Sequence, residues 1–169
     1  GMAGLIEKQP EEWIREGTLK IKDNSNILLK LVNQMLDISR IETGAMKVNM
    51  AQTDIIGYIS YITGLFRSVA QTREITLRTA FSDDQFIMDF DQDKLMHILS
   101  NLLSNALKFT PKGGIVLVSN EVDEKADIFR LTVADSGKGI EMNDIPYLFD
   151  RFYQAGNGTG DTPGSGLGL

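Results

Sequence analysis

The chain has 169 residues, 42% of them hydrophobic, which is enough for one domain of ordinary size plus a smaller element. Its net charge of −6 argues against a nucleic-acid backbone as partner. With no Cys and a single His, a disulfide framework and a thiolate metal site are excluded, and His-pair zinc motifs are nearly so. No apolar run could cross a bilayer and no signal peptide is visible, so we expect a soluble protein without direct membrane contact.

The first 44 residues are predicted to be helical on either side of Pro10, with Gly44 as the C-terminal cap. Apolar residues recur every seven positions, which is typical of a bundle or coiled-coil helix. One series is Ile14, Ile21, Leu28 and Met35, and its partner series is Gly17, Asn24, Leu31 and Ile38. Such a seam cannot be buried against residues 1–8, so we expect a homodimeric four-helix bundle. The alternative is a helix that packs on its own globular domain.

Beyond Gly44, strand and helix patterns follow one another. Asp54 is predicted to cap a helix that runs to about Thr72. Its predicted inner face is Ile55, Ile59, Ile62, Phe66 and Val69. Strands are predicted at Met46–Met50, Ile75–Ala80, Phe86–Asp89 and Ile115–Val122, and a last strand containing Phe129, Leu131 and Val133 ends at Asp135. With a second helix over Asp91–Thr110, this order predicts an α+β layered sandwich, a mixed sheet with helices on one face.

The helix predicted over Asp91–Thr110 has two distinct faces. Its apolar stripe is Leu95, Ile98, Leu99, Leu102, Leu103, Ala106 and Phe109, and its polar stripe is Lys94, His97, Asn101, Asn105 and Lys108. The polar stripe contains no acid, which suits a phosphate-rich ligand and a metal. An Asn carbonyl oxygen can ligate Mg²⁺, and a Lys one turn on can meet phosphate oxygens. The alternative is a solvent-facing stripe that happens to lack acids.

Two glycine clusters follow. The first, DSGKGI at residues 135–140, comes directly after a strand, and Asp135 could accept a hydrogen bond from an exocyclic amine. The second, GSGLGL at residues 164–169, resembles a phosphate cradle that opens into a helix. It is neither a Walker A loop nor a Rossmann fingerprint. Between them, residues 155–163 carry no side chains for a core, and we interpret them as a mobile lid.

Four sequence motifs occur in an order typical of one family. NLLSNALKFT at residues 101–110 resembles the N box of sensor histidine kinases, and DSGKGI resembles their first glycine box. FDRFYQ at residues 149–154 resembles the F box, and GSGLGL the second glycine box. LLKLVNQMLDISRIETG, which ends at Gly44, looks like the family's dimerisation hairpin. The resemblance therefore covers nearly the whole chain, and the four boxes in order make it specific.

The resemblance implies a Bergerat-type fold that binds ATP and Mg²⁺. Asn105 would ligate the metal, Asn101 would support the same cluster, and Lys108 would contact phosphate oxygens. Asp135 would bind the adenine amine. Gly137 and Gly139 would let the chain pass the base, Arg151 would reach the γ-phosphate, and backbone N–H groups of the second glycine box would hold the phosphates, namely those of Gly164, Gly166, Leu167 and Gly168. Asn105, Lys108 and Arg151 would be the catalytic set.

The same resemblance implies the domain organisation. Residues 1–44 would be part of a dimerisation and phosphotransfer hairpin whose phosphoacceptor segment is absent, and residues 45–169 an ATP-binding domain truncated after the second glycine box. Gln154 stands where many relatives carry a second Arg. His97 is not followed by an acid, so we expect it not to be the acceptor and this chain alone not to phosphorylate itself. We interpret Phe149 and Phe152 as core residues.

The implied function is that of a sensor histidine kinase in a two-component system. It would transfer the γ-phosphoryl group of Mg-ATP to a His, for relay to an Asp of a response regulator receiver domain. It would act as a homodimer in the cytoplasmic part of a membrane-bound sensor. The alternatives are another ATPase of the same superfamily and a degenerate dimerising sensor module without kinase chemistry.

Overall fold

The computed structural model describes residues 43–125, 127–150 and 153, together with residues 14–22, 24, 25, 28, 29, 32 and 36. The chain divides into two compact units, Gly1–Lys47 and Val48–Leu169. In the first unit, residues 14–22 are helical, and Thr18 donates a hydrogen bond to the Ile14 carbonyl. Three apolar side chains of the predicted seam lie exposed, Ile14 at 67%, Ile21 at 69% and Leu28 at 61%. In the described part of the chain, no helix is both long enough and apolar enough to span a membrane.

The second unit alternates strands and helices along the chain. The strands are β1 (Ala51–Asp54), β2 (Thr76–Ala80), β3 (Ile87–Phe90), β4 (Ile115–Asp123) and β5 (Ile128–Asp135). The α-helices are α1 (Ile55–Leu65), α2 (Arg67–Thr72) and α3 (Gln92–Phe109), and a 3₁₀ turn follows at Ile145–Tyr147. The predicted order of elements is therefore observed, with one helix divided in two.

The strands form two sheets. β1 pairs with β3 in antiparallel register from Ala51 opposite Phe90 to Asp54 opposite Ile87. In the other sheet, β4 lies between β2, which runs parallel to it, and β5, which runs antiparallel to it. Two consecutive strands, β2 and β3, thus lie in different sheets, and the three-stranded sheet is mixed. The α+β class with a mixed sheet and helices is confirmed.

One hydrophobic core joins the helices to one face of the mixed sheet. On β4 the side chains alternate, so Val116 and Val118 are fully buried while their neighbours face outwards. The same cluster contains buried residues of α1 and α3, namely Ile55, Ile56, Ile59, Ile62, Leu99, Leu103, Ala106 and Leu107. Burying side chains of this kind contributes roughly 1.5–3 kcal/mol each, so this interface fixes the orientation of α3.

Some sequence predictions about individual elements are wrong. Residues 46–50 form no strand, and the strand begins at Ala51, because pairing with β3 rather than local alternation decides its position. The helix after Asp54 breaks at Phe66, whose N–H bonds the Thr63 carbonyl three residues back. This break changes the helical phase, so that Ala70 is buried and Val69, predicted to face inwards, is 45% exposed.

The predicted apolar stripe of α3 is too broad. Leu99, Leu103 and Ala106 are buried as predicted, but Ile98 is 57% exposed and Phe109 is 48% exposed. Both residues lie nearer to the polar stripe than to the centre of the buried face, because each residue advances about 100° around the helix. They form an apolar edge beside the polar stripe.

Candidate functional site

Helix α3 carries the polar stripe, and its first turn is anchored by Asp91. One oxygen of this carboxylate accepts a hydrogen bond from Lys94 N–H at 3.0 Å, which caps the helix. The other oxygen accepts from Asn49 N–H at 2.8 Å. The Asn49 and Lys94 N–H groups together hold the pKa of Asp91 below its ordinary value of 3.8. The stripe therefore begins at a fixed point of the fold.

We expect Asp91 to make the stability of the fold depend on acid pH. A lowered pKa means that the charged carboxylate is favoured in the folded state, so its contribution is fully present above pH 3.8 and is lost as the pH falls through the lowered pKa. In urea unfolding between about pH 6 and pH 3, Asp91→Asn should lower stability most at the upper end. The difference from wild type should shrink towards the lower end. Asp89→Asn, at an exposed position of β3, is the matched control, and a pH-independent Asp91→Asn effect would contradict the assignment.

The stripe runs along α3 to its C-terminal end. Asn101, Asn105 and Lys108 recur at intervals of four and three, which places them on one face, and all three are half-buried. His97 is exposed one turn earlier. The Lys108 ammonium lies 5.1 Å from the centre of the Phe109 ring, a cation–π contact. The exposed ring of Phe109 therefore contacts a residue of the polar stripe and does not pack in the core. The periodicity of α3 did not predict this contact.

The first glycine box crosses the end of α3 at close range. A Cβ on Gly137 would lie 2.7 Å from the Phe109 carbonyl oxygen and 2.7 Å from the Asp135 carboxylate, so no side chain fits there. Gly139 has a φ of +71°, a conformation that favours glycine. The glycines of this box are therefore required by the close approach to α3 and by the turn itself.

Asp135 and Ser136 hold the glycine box in place. Asp135 ends β5, as predicted, and its Oδ1 accepts a hydrogen bond from Gly137 N–H at 2.8 Å. Ser136 exchanges two hydrogen bonds with Ile115: its N–H donates to the Ile115 carbonyl at 3.0 Å, and its hydroxyl accepts from the Ile115 N–H at 2.8 Å. The Asp135 carboxylate is thus exposed, and its hydrogen bond from Gly137 fixes its direction beside the glycine that lies against the end of α3.

The segment after the glycine box folds back on itself. The Tyr153 hydroxyl donates a hydrogen bond to Asp144 at 2.6 Å, and the Tyr147 and Tyr153 rings lie 5.6 Å apart. The hydrogen bond to Asp144 is the main cause that raises the pKa of Tyr153 to about 12. Phe149 is 80% exposed, so the prediction that it packs in the core is wrong for this residue. The short 3₁₀ turn before it turns its ring outwards to solvent.

The remaining predicted site residues lie outside the described residues. These are Arg151, Gly164, Gly166, Leu167 and Gly168, and the same holds for Phe152, Gln154 and the predicted lid at residues 155–163. Among the predicted residues that are described, the structure puts Asn101, Asn105 and Lys108 on one face of α3, and it brings Gly137 against the end of the same helix. Asp135 is hydrogen-bonded to Gly137 and so lies beside it.

The donor set suits a metal held jointly with phosphates. Among the described residues there is no group of three or more His, Cys, Asp and Glu side chains that could hold a metal ion by itself. Mg²⁺ commonly keeps several waters and binds one or two protein oxygens together with substrate phosphates, which an amide stripe beside a lysine can accommodate.

A cavity of about 560 Å³ at the β4–β5 hairpin, lined by Glu121, Asp123 and Arg130 among others, contains none of the site residues.

Comparisons with known proteins match part of this chain to one ATPase family and most of it to histidine kinases. Residues 90–169 match the family described as histidine kinase-, DNA gyrase B-, and HSP90-like ATPase. The chain is 33% identical over 143 residues to the sensor histidine kinase WalK of Bacillus subtilis (strain 168), covering 84% of this chain and 23% of WalK. It is 34% identical over 163 residues to hybrid signal transduction histidine kinase D of Dictyostelium discoideum, covering 92% of this chain and 10% of that protein.

Among solved structures, full-length ShkA in complex with AMPPNP superposes with a TM-score of 0.77 at 29% identity. The match covers 91% of this chain and 31% of ShkA. The chain thus spans less than a quarter of the length of the two curated relatives above and about a third of ShkA.

Proposed function

Residues 90–169 belong to the histidine kinase-, DNA gyrase B-, and HSP90-like ATPase family, and the curated relatives named above are histidine kinases. We propose that the chain is part of a sensor histidine kinase and that it binds Mg-ATP on the polar stripe of α3. The single observation that carries this proposal is the half-buried, acid-free face of Asn101, Asn105 and Lys108, which ends where Gly137 crosses α3. The presence of AMPPNP in the ShkA complex supports a nucleoside triphosphate as ligand.

We assign the roles of the residues from their chemistry. The Asn105 amide oxygen would ligate Mg²⁺, and Asn101, one turn earlier, would support the same cluster. The Lys108 ammonium would leave the Phe109 ring to contact phosphate oxygens. The second oxygen of Asp135, Oδ2, would accept a hydrogen bond from the adenine amine, because Oδ1 already accepts from Gly137 N–H. Gly139 would keep the backbone beside the base free of side chains.

Arg151 and the second glycine box complete the proposed site. Arg151 would contact the γ-phosphate. The phosphates would be held by the backbone N–H groups of Gly164, Gly166, Leu167 and Gly168.

The proposed reaction is the transfer of the γ-phosphoryl group from ATP to a histidine. The imidazole nitrogen forms a bond to the γ-phosphorus while the bond from that phosphorus to the bridging oxygen breaks, and ADP leaves with the electron pair. Bound Mg²⁺ would neutralise charge on the phosphate oxygens. The chain's own contribution is to orient the triphosphate and to offset its charge through Lys108 and Arg151, which is most of what phosphoryl transfer requires.

The family also supports a proposal about the biological setting. We propose that the phosphoryl group passes on to an aspartate of a response regulator receiver domain. We also propose that the chain works as a homodimer through the seam of residues 14–38 and that it lies in the cytoplasm. The proposed domains are a partial dimerisation hairpin at residues 1–44 and the ATP-binding domain at residues 45–169.

Calorimetric titration with AMPPNP, with Mg²⁺ and with EDTA, tests the proposal. We expect saturable one-site binding with Mg²⁺ and much weaker binding when the metal is chelated, because the amide stripe needs a metal to meet the phosphates. Titration with AMP is the control for adenine contacts alone. No binding of AMPPNP under either condition would overturn the proposed function and favour a degenerate dimerising module.

A further inference from the structure

The carbonyl of Leu107, in the last turn of α3, lacks its ordinary helical partner. In an α-helix, a carbonyl accepts a hydrogen bond from the N–H of the residue four positions on. For Leu107 that residue is Pro111, and proline has no N–H. Leu107 itself is 2% exposed, so water is not a ready substitute. The Arg73 guanidinium donates to this carbonyl at 3.0 Å, across 34 positions of sequence. The arginine therefore replaces the donor that the proline removes.

This bond is the inner part of a wider junction between two turns. The Glu74 carbonyl accepts from Gly113 N–H at 2.9 Å, and Thr76 N–H donates to the Gly114 carbonyl at 2.9 Å. Glu74 has a φ of +55°, the left-handed conformation that points the chain at this junction. An exposed ion pair of Glu74 with Lys112 lies on the outside. The turn after α2 is thus fastened to the turn after α3.

The position of this junction connects it to the nucleotide site. Leu107 lies between Asn105 and Lys108, so the bonded carbonyl belongs to the turn that carries both residues. A cation at this place also offsets the partial negative charge of the helix C-terminus. Gly137 rests on the neighbouring Phe109 carbonyl, so movement of this turn would displace the glycine box as well.

We infer that Arg73 is a positioning residue for nucleotide binding, acting through the last turn of α3, an inference that rests on the proposed function. Nothing in the sequence motifs points to it, because Arg73 lies outside all four boxes and its partner is a main-chain carbonyl. Its charge-assisted hydrogen bond keeps Asn105 and Lys108 in the geometry that phosphates require.

The test compares Arg73→Met, which keeps the aliphatic stem and removes the donors, with Arg73→Lys, which restores one. Arg73→Met should weaken Mg-AMPPNP binding about five- to tenfold, the scale of one lost charge-assisted hydrogen bond at a helix end. Arg73→Lys should recover part of this loss. Arg78→Met, at an exposed position of β2, is the matched control for the lost charge. Lys112→Gln removes the exposed ion pair with Glu74. Both variants should bind Mg-AMPPNP with wild-type affinity.

Amide hydrogen exchange of the nucleotide-free protein gives a second readout. In Arg73→Met, exchange should rise at residues 105–110 while β4 stays protected and the urea midpoint shows the variant folded. A variant that loses only global stability and binds nucleotide as wild type does would overturn the positioning role. Absence of nucleotide binding by the wild-type chain would overturn both this inference and the proposed function, whereas unchanged affinity in Arg73→Met alone would overturn only the former.

Discussion

Asn105→Asp should lower the affinity for Mg-AMPPNP by on the order of a hundredfold, since two like charges a few ångströms apart near a protein surface repel by several kcal/mol. The change exchanges one amide nitrogen for oxygen, so the size of the side chain is kept. What changes is the charge beside the triphosphate on a face of α3 that otherwise carries no acid. Calorimetry or displacement of a fluorescent nucleotide measures the loss directly.

Two companion variants separate charge from ligation. Asn105→Ala removes the amide oxygen without adding charge and should lose less affinity than Asn105→Asp. Gln85→Glu makes the same amide-to-acid change at an exposed position of the loop before β3 and should bind as wild type does. Thermal unfolding confirms that each variant is folded. If Asn105→Asp bound Mg-AMPPNP with wild-type affinity, the polar stripe of α3 would not be the phosphate site.

The sequence predicted best those elements whose pattern is local. α3 has a strong helical period with Asp91 as its cap, and β5 alternates up to Asp135, so both elements lay near their predicted positions. β1 was placed five residues too early, because apolar and polar residues alternate at 46–50, whereas residues 51–54 show no such alternation. Only the distant strand β3 selects between them. The break at Phe66 is equally invisible to periodicity, because the apolar spacing continues through it.

In the candidate site, too, the sequence predicted the local features and missed the contacts between distant parts of the chain. Motif spacing placed Asn101, Asn105 and Lys108 on one face of α3, since residues that share a helix face can be deduced from sequence. It could not identify contacts to main-chain groups far along the chain, such as Arg73 to the Leu107 carbonyl or Asn49 N–H to Asp91. Such contacts depend on where turns meet in the fold. For the Arg73 contact, Pro111 is the one local signal in the sequence. A proline at this position leaves the Leu107 carbonyl without its helical donor, so another donor is expected there.

Replacing Ile21 and Leu28 with Glu should convert the chain from dimer to monomer. Both residues belong to the seven-residue seam and are 69% and 61% exposed in the single chain, so a partner helix is the natural cover for them. A buried, uncompensated charge costs several kcal/mol, so one such substitution should weaken dimerisation on the order of a thousandfold and two should abolish it.

Light scattering coupled to size exclusion, over a range of protein concentrations, measures the change. Lys22→Glu, an exposed helical position one residue beyond Ile21 and outside the seam, should leave the dimer intact. The double variant should still bind Mg-AMPPNP, because the core that holds α3 is made within the unit Val48–Leu169. A wild-type chain that stays monomeric at high concentration would contradict the bundle. A dimer that survives both Glu substitutions would place the interface on another surface, since a seam packed against its own partner cannot bury four carboxylates.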